Sequence, residues 1–492
     1  MGSQQLQATS AVRAEIPLSE AKRRLLDKLH RGEIAQTSAR PGGIPRRFPG
    51  VRVPLSFAQE QIFSVIDSNP NASPMYNESI TIYRNGALDR SILEHCLVEI
   101  LHRHEAWRTT FDFVDGQRCQ VVHERTDDVA LSFLDVSEKP KAEREQQALA
   151  LATADARRAF DLRQGPLLRI LLVKLDQAEY RLFFTLHQLI VDGISVFRVL
   201  PSELATTYEA FAAGKPSPLP ELPVQFGDFA CWQRESLQDT ALTRQLEYWE
   251  SQLFNPLPVL DWPKNIIRPA LQSFQGAIYP ELISKGIGEE LRAQSRNEGV
   301  TLFTILLAGI VTLLHLYTHQ DDIIVGTLTP AGREYPEVQG LLGYFMNPVP
   351  LRFRLQRSMS FHDLVWQVRK VVSEAVANDD VPFHYLVKRF LPQPDPSRHP
   401  FFQVVVSLAP DLVELGPEWN QTFMDVESGG ARWDLYLEFN ARTEGVMVRA
   451  QYNPDLFNSG NIKQTLEDFE AVLKVATRNP AILLSELQTI SV

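Results

Sequence analysis

Leu186-His187-Gln188-Leu189-Ile190-Val191-Asp192-Gly193-Ile194-Ser195 is the stretch on which the fold of this 492-residue chain turns. An apolar run, Arg181–Leu186, delivers His187 to a turn containing Asp-Gly. A helical pattern follows over Val196–Ala213, with apolar residues at 197, 200, 204 and 211 and Pro201 disturbing the first turns. Strand, polar turn and helix in that order hold turn side chains rigidly at the mouth of a cleft. Taken alone, the spacing HxxxxDG fits equally well a histidine satisfied at a strand end, with Asp192 capping the next helix.

Working outward, the same kinds of element recur. Helices are predicted over Ser91–His102 and Ala142–Phe160, and strands over Arg118–His123 and Leu167–Leu175. Four prolines between Pro216 and Pro223 make 214–223 a stiff, extended crossing. Beyond it come helices near Leu242–Leu253, 301–318, Phe361–Asn378 and Ile462–Thr477, with strands over 322–327 and Phe402–Ser407. The pattern predicts two α/β lobes, 51–222 and 223–492, behind a 1–50 linker. In that linker Ser19 caps a helix over Glu20–Arg31 that Gly32 ends. The basic cluster within Ser38–Arg47 reads as solvated linker.

Composition excludes several classes. Lys and Arg number 49 against 60 Asp and Glu, a formal charge of −11 that disfavours nucleic-acid binding. Three cysteines without CxxC spacing (Cys96, Cys119, Cys231) argue against a disulfide framework or a thiolate metal site and fit a reducing, cytoplasmic setting. Met1-Gly2-Ser3 reads as a cloning remnant, with no secretory signal after it. The uncharged run Thr301–His319 approaches membrane-spanning length, but four threonines and two histidines dilute it, so a buried helix is expected. His102 and His104 form an HxH pair without an evident third ligand; no metal is expected.

Seven strings occur in order: Leu55-Ser-Phe-Ala-Gln-Glu-Gln-Ile62, Arg103-His-Glu-Ala-Trp-Arg-Thr-Thr-Phe111, the 186–195 stretch, Phe226-Gly-Asp-Phe-Ala-Cys-Trp-Gln233, Leu342-Gly-Tyr-Phe-Met-Asn-Pro-Val-Pro-Leu-Arg352, Asn378-Asp-Asp-Val-Pro-Phe-His-Tyr-Leu-Val387, and Asp395-Pro-Ser-Arg-His-Pro-Phe-Phe-Gln-Val404. Phe160-Asp-Leu-Arg-Gln-Gly-Pro-Leu-Leu-Arg169 adds an eighth. Together they resemble the condensation domains of nonribosomal peptide synthetases. The resemblance implies two chloramphenicol-acetyltransferase-like lobes in a V around a central tunnel. It implies amide formation between an acyl or peptidyl thioester on one carrier protein and the amine of an aminoacyl thioester on another. The partners would be donor and acceptor carrier proteins and neighbouring modules of a peptide or hybrid polyketide–peptide line. No cofactor would be bound, the substrates riding on the carriers' phosphopantetheine arms. It further implies that Asp192 pairs with Arg103, that Gly193 lets the arm approach, that Ser195 and Asn347 line the tunnel, and that Trp232 packs the lobes together.

One residue departs from the pattern. The family motif is HHxxxDG, and its second histidine, credited with catalysis, is Gln188 here; His187 matches the first. Consecutive residues of an extended segment point to opposite faces, so His187 cannot stand in for it. An amide accepts no proton from an amine, and loss of general-base chemistry usually costs about 10²–10⁴-fold. Three readings remain: a variant that works by positioning, an inactive domain that only binds carriers, and an engineered knockout. A freestanding acyltransferase using coenzyme A is a further alternative. Gln188→His, assayed for turnover, should raise the rate about 10²-fold if glutamine impairs the domain and change it little if positioning suffices.

Overall fold

Three sheets organise the chain in the computed structural model, which describes residues 43–487 apart from 130, 237–239, 255, 265, 357, 392 and 423–424. The helix expected over Glu20–Arg31 lies outside the described residues. A five-stranded sheet has the order Trp419–Thr422, Asn77–Asn85, Glu179–His187, Leu168–Asp176, Leu131–Asp135. Its central strand, Glu179–His187, is buried along nearly its whole length, as its continuous apolar run requires. The parallel pairing of Leu131–Asp135 with Leu168–Asp176 needs a crossover, which the helix Lys141–Ala156 supplies. Ala148, Ala152 and Ala156, spaced by four, form that helix's buried face.

The six-stranded sheet of the second lobe has the order Asn347–Arg354, Asp322–Thr329, Val404–Leu408, Leu435–Arg442, Gly445–Tyr452, Ala277–Ser284. The uncharged run forms the helix Leu302–Thr318, with Thr301 accepting from the Thr304 N–H as its cap. The helix is buried almost throughout and packs against the helices Phe361–Ala377 and Ser459–Arg478. Close approach to the latter depends on Gly309, where a Cβ would lie 2.8 Å from both Phe469 and Leu473. No single helix among the described residues is long and apolar enough to cross a membrane.

Packing does not follow the chain-order division at 222/223. Val338, Leu341, Leu342, Tyr344 and Phe345 belong to the first lobe's core, and the strand Trp419–Thr422 pairs with Asn77–Asn85. The Arg84 guanidinium lies over both the Trp419 and the Tyr208 ring, its carbon 4.7 and 5.1 Å from their centroids, while the two rings meet edge-on at 5.3 Å. The basic cluster is only partly linker. Arg47 pairs with Glu105 and Asp228 at 2.7 Å each, and Arg46 donates to the Leu222 and Pro223 carbonyls, stapling the Pro-rich crossing. The helix expected to reach Phe160 ends at Ala156, leaving Phe160 to pack edge-on against His187.

The disturbance expected at Pro201 is visible. Ser195–Val199 winds as one wide π turn, with the Leu200 N–H bonding to the Ser195 carbonyl, before the α-helix Leu200–Ala212. Proline has no N–H to give the carbonyl four residues earlier, that of Phe197. The Gln421 side-chain amide, from the crossing strand, donates to it instead at 3.1 Å. Gln421→Leu should therefore lower the free energy of unfolding by about 1–3 kcal/mol, the cost of an orphaned buried carbonyl. Adding Pro201→Ala, which supplies a backbone N–H, should recover part of the loss in chemical denaturation.

Candidate active site

The turn after His187 is locked by one buried ion pair. Asp192 Oδ1 accepts from the Ser195 N–H (2.8 Å), the Ser195 hydroxyl (2.9 Å) and an Arg333 terminal nitrogen (2.8 Å). Its Oδ2 accepts from Arg333 Nε at 2.9 Å. The same guanidinium donates to Ser195 Oγ and to the Val338, Gln339 and Leu341 carbonyls, and it lies over the Phe345 ring. Asp192 and Arg333 are 2% and 3% exposed, so each needs the other: a lone buried charge would be far costlier than the pair.

The expected partner was wrong. Arg103 pairs with Glu203 at 2.8 Å and donates to the Pro220 carbonyl, while His104 Nε2 holds the other Glu203 oxygen at 2.8 Å. Arg103 is still a support, but of the Pro-rich crossing. His104 is committed to Glu203 and the Leu342 N–H, and His102 meets the Thr126 carbonyl, so the HxH pair does not converge. Among the described residues no cluster of His, Cys, Asp or Glu could hold a metal.

His187 and Gln188 diverge as strand geometry demands. His187 is fully buried between the Tyr76 and Phe160 rings, and its Nδ1 accepts from the Leu189 N–H at 3.2 Å. Burial, with a minor contribution from Arg169, pushes its pKa down to about 3. It is a neutral packing residue. Gln188 faces a cavity between the lobes, where its Nε2 donates to Glu78 Oε1 and its own Oε1 has no protein partner.

Counting its open mouths, the cavity holds about 2170 Å³. Its walls come from both lobes: Glu78, Gln188, Gly193 and Tyr344 from the first, Arg432, Tyr436 and Glu438 from the second. Two expected lining residues turn away from it. Ser195 is 0% exposed because its hydroxyl is used up by Asp192, Arg333 and the Gly343 backbone. The Asn347 amide donates to the Asp379 and Val381 carbonyls and accepts from the Phe383 N–H, bracing a loop instead of facing the cavity. Gly193 lines the cavity, yet a Cβ there would only touch Phe197 at 3.4 Å, so openness towards the cavity, not backbone conformation, is what glycine provides. Trp232 packs edge-on against Tyr335 at 4.6 Å, and both rings belong to the first lobe's core instead of bridging the two cores.

The sequence model of the condensation domain matches residues 51–492. The chain belongs to the condensation-domain family. It is 36% identical to a linear gramicidin synthase of Brevibacillus parabrevis, over 96% of this chain and 6% of that protein. The domain thus spans a minor part of the curated relatives it matches. Among solved structures, the first condensation domain of the calcium-dependent antibiotic synthetase, with a substrate analogue, has TM-score 0.75 at 19% identity over 89% of this chain and 99% of that one. The X-domain from teicoplanin biosynthesis has TM-score 0.76 at 24% identity, over 92% and 98%.

Four side chains of this condensation domain were not singled out from sequence: Arg333, Glu78, Arg432 and Glu438. Glu438 alone left a trace, as a carboxylate amid the alternating apolar positions of Leu435-Tyr-Leu-Glu-Phe439. Two measurements check the site as built. A double-mutant cycle on stability should give Asp192 and Arg333 a coupling of about 3 kcal/mol, within the range for breaking buried pairs, and Asp192 with Arg103 much less. For His187, the folded pKa lies below the unfolded value, so the unfolded chain binds the extra proton between the two. Stability is therefore lost as pH falls from about 6.5 to about 3, by about 1.4 kcal/mol per unit. His187→Leu should flatten that limb by one proton, whatever it does to stability at neutral pH.

Proposed function

We propose that this domain joins a carrier-bound acyl or peptidyl thioester to the amine of a carrier-bound aminoacyl thioester within the cavity between its lobes. The reading is carried by the position of residue 188 and Gly193 on the wall of that cavity, beside a turn fixed by the Asp192–Arg333 pair. Aminolysis of a thioester is intrinsically easy once the amine is neutral, so holding both partners in attack geometry supplies much of the acceleration. A cavity with mouths open to solvent suits two long flexible arms. Phosphopantetheine on carrier proteins would bring the substrates, and adjoining synthetase modules would supply the carriers.

Gln188 favours a second reading, a module that binds carriers without chemistry, since an amide does not titrate. Incubating the domain with two separately loaded carriers and following the acceptor carrier by mass spectrometry decides between them. Amide-linked product well above the uncatalysed rate is expected. Carrier binding without product would leave the binding module. Product from free coenzyme A thioesters but not from carriers would instead indicate a freestanding acyltransferase.

A further inference from the structure

Opposite Gln188 the cavity wall carries a carboxylate from the other lobe. Glu438 lies on the strand Leu435–Arg442, directly across from Arg449 on Gly445–Tyr452, and both line the cavity. Their charged atoms are 3.9 Å apart, a loose pair, and the Glu438 side chain stays partly exposed, at 12%. Glu78, from the first lobe's strand Asn77–Asn85, links the two sides. Its Oε1 accepts from Gln188, and its charge acts on Glu438. The wall at residue 188 therefore holds an amide already bound to one carboxylate, with a second carboxylate within electrostatic reach.

We propose that Glu438 is the proton acceptor for the attacking amine, in place of the imidazole that residue 188 lacks. The proposal rests on the condensation reading above. The amine nitrogen attacks the donor thioester carbonyl, a C–N bond forms and the C–S bond breaks. The proton leaving nitrogen passes to the Glu438 carboxylate, which returns it to the departing pantetheine thiolate and is restored. Gln188, its amide held by Glu78, forms part of the wall against which the amine is placed.

The surroundings of Glu438 suit the task. Burial pushes its carboxyl up to about 7, with the like charge of Glu78 acting in the same direction; Arg449, the Tyr436 hydroxyl and Arg432 oppose it. Those groups come from every neighbouring face: Glu78 from the first lobe, Tyr436 from its own strand, Arg449 from the next, Arg432 from the approach to it. A general base is most effective when its pKa lies near the working pH.

The test is single-turnover condensation between two loaded carriers, followed across neutrality for the intact domain and its variants. Wild-type rate should rise with pH through a limb near 7. Glu438→Gln should lower the rate by about 10²–10⁴-fold and remove the limb, with carrier binding and far-UV circular dichroism unchanged. Adding Gln188→His to that variant should restore a titrating rate, which a merely structural role for Glu438 would not allow. If Glu438→Gln does not fold, Glu438→Asp decides: a displaced limb supports the proposal and an unmoved one overturns it. A Glu438→Gln domain with wild-type rate and limb also overturns it. Product from Gln188→His but none from wild type overturns the proposal and leaves the condensation reading standing; product from neither overturns both.

Discussion

The Asp192–Arg333 pair is the constraint on which the site depends. Asp192 comes from before the Pro-rich crossing and Arg333 from after it, and neither charge tolerates burial alone. Because the guanidinium also holds three backbone carbonyls between Val338 and Leu341, it fixes the approach to Tyr344 together with the turn carrying Gln188. One interaction thus fixes the 338–344 segment against the turn at 188–195. Ser195 belongs to the same lock, which explains why a serine in a catalytic-looking motif is unavailable for chemistry.

What residue 188 does follows from this rigidity. Gln188 is confined between a fixed turn and Glu78, so it offers a carbonyl at a defined place without offering a base. The neutral histidine beside it cannot compensate, because it is sealed among rings on the other face of the strand. The ionisable groups around Glu438 include the Glu78 carboxylate and the Arg432 and Arg449 guanidinium groups.

Much of this was legible in the sequence. Apolar periodicity located the long helices and the strands around residue 188, because burial of one face writes itself into spacing. The opposite facing of His187 and Gln188 followed from strand geometry alone. Strands including Asn77–Asn85, Leu435–Arg442, Gly445–Tyr452 and Ala277–Ser284 were missed; the last is a largely exposed edge strand with little apolar signal, whereas Gly445–Tyr452 does alternate and could have been found. The partner of Asp192 was carried over from the family resemblance as Arg103, and a side-chain pair 141 residues apart leaves no local signal that could have corrected it. Asn347 was placed by its neighbours in the chain, whereas the loop at 379–383 claims its amide.

The strand Trp419–Thr422 has a consequence for synthesis. It covers one edge of the first lobe's sheet, so until residue 419 has emerged from the ribosome, Asn77–Asn85 exposes a row of unpaired backbone groups. An uncovered edge of this kind is a template for pairing with other chains. The first lobe is made early but completed late, and the interval is spanned by about three-quarters of the second lobe's translation. Separating the halves at the Pro-rich crossing would make that exposed state permanent.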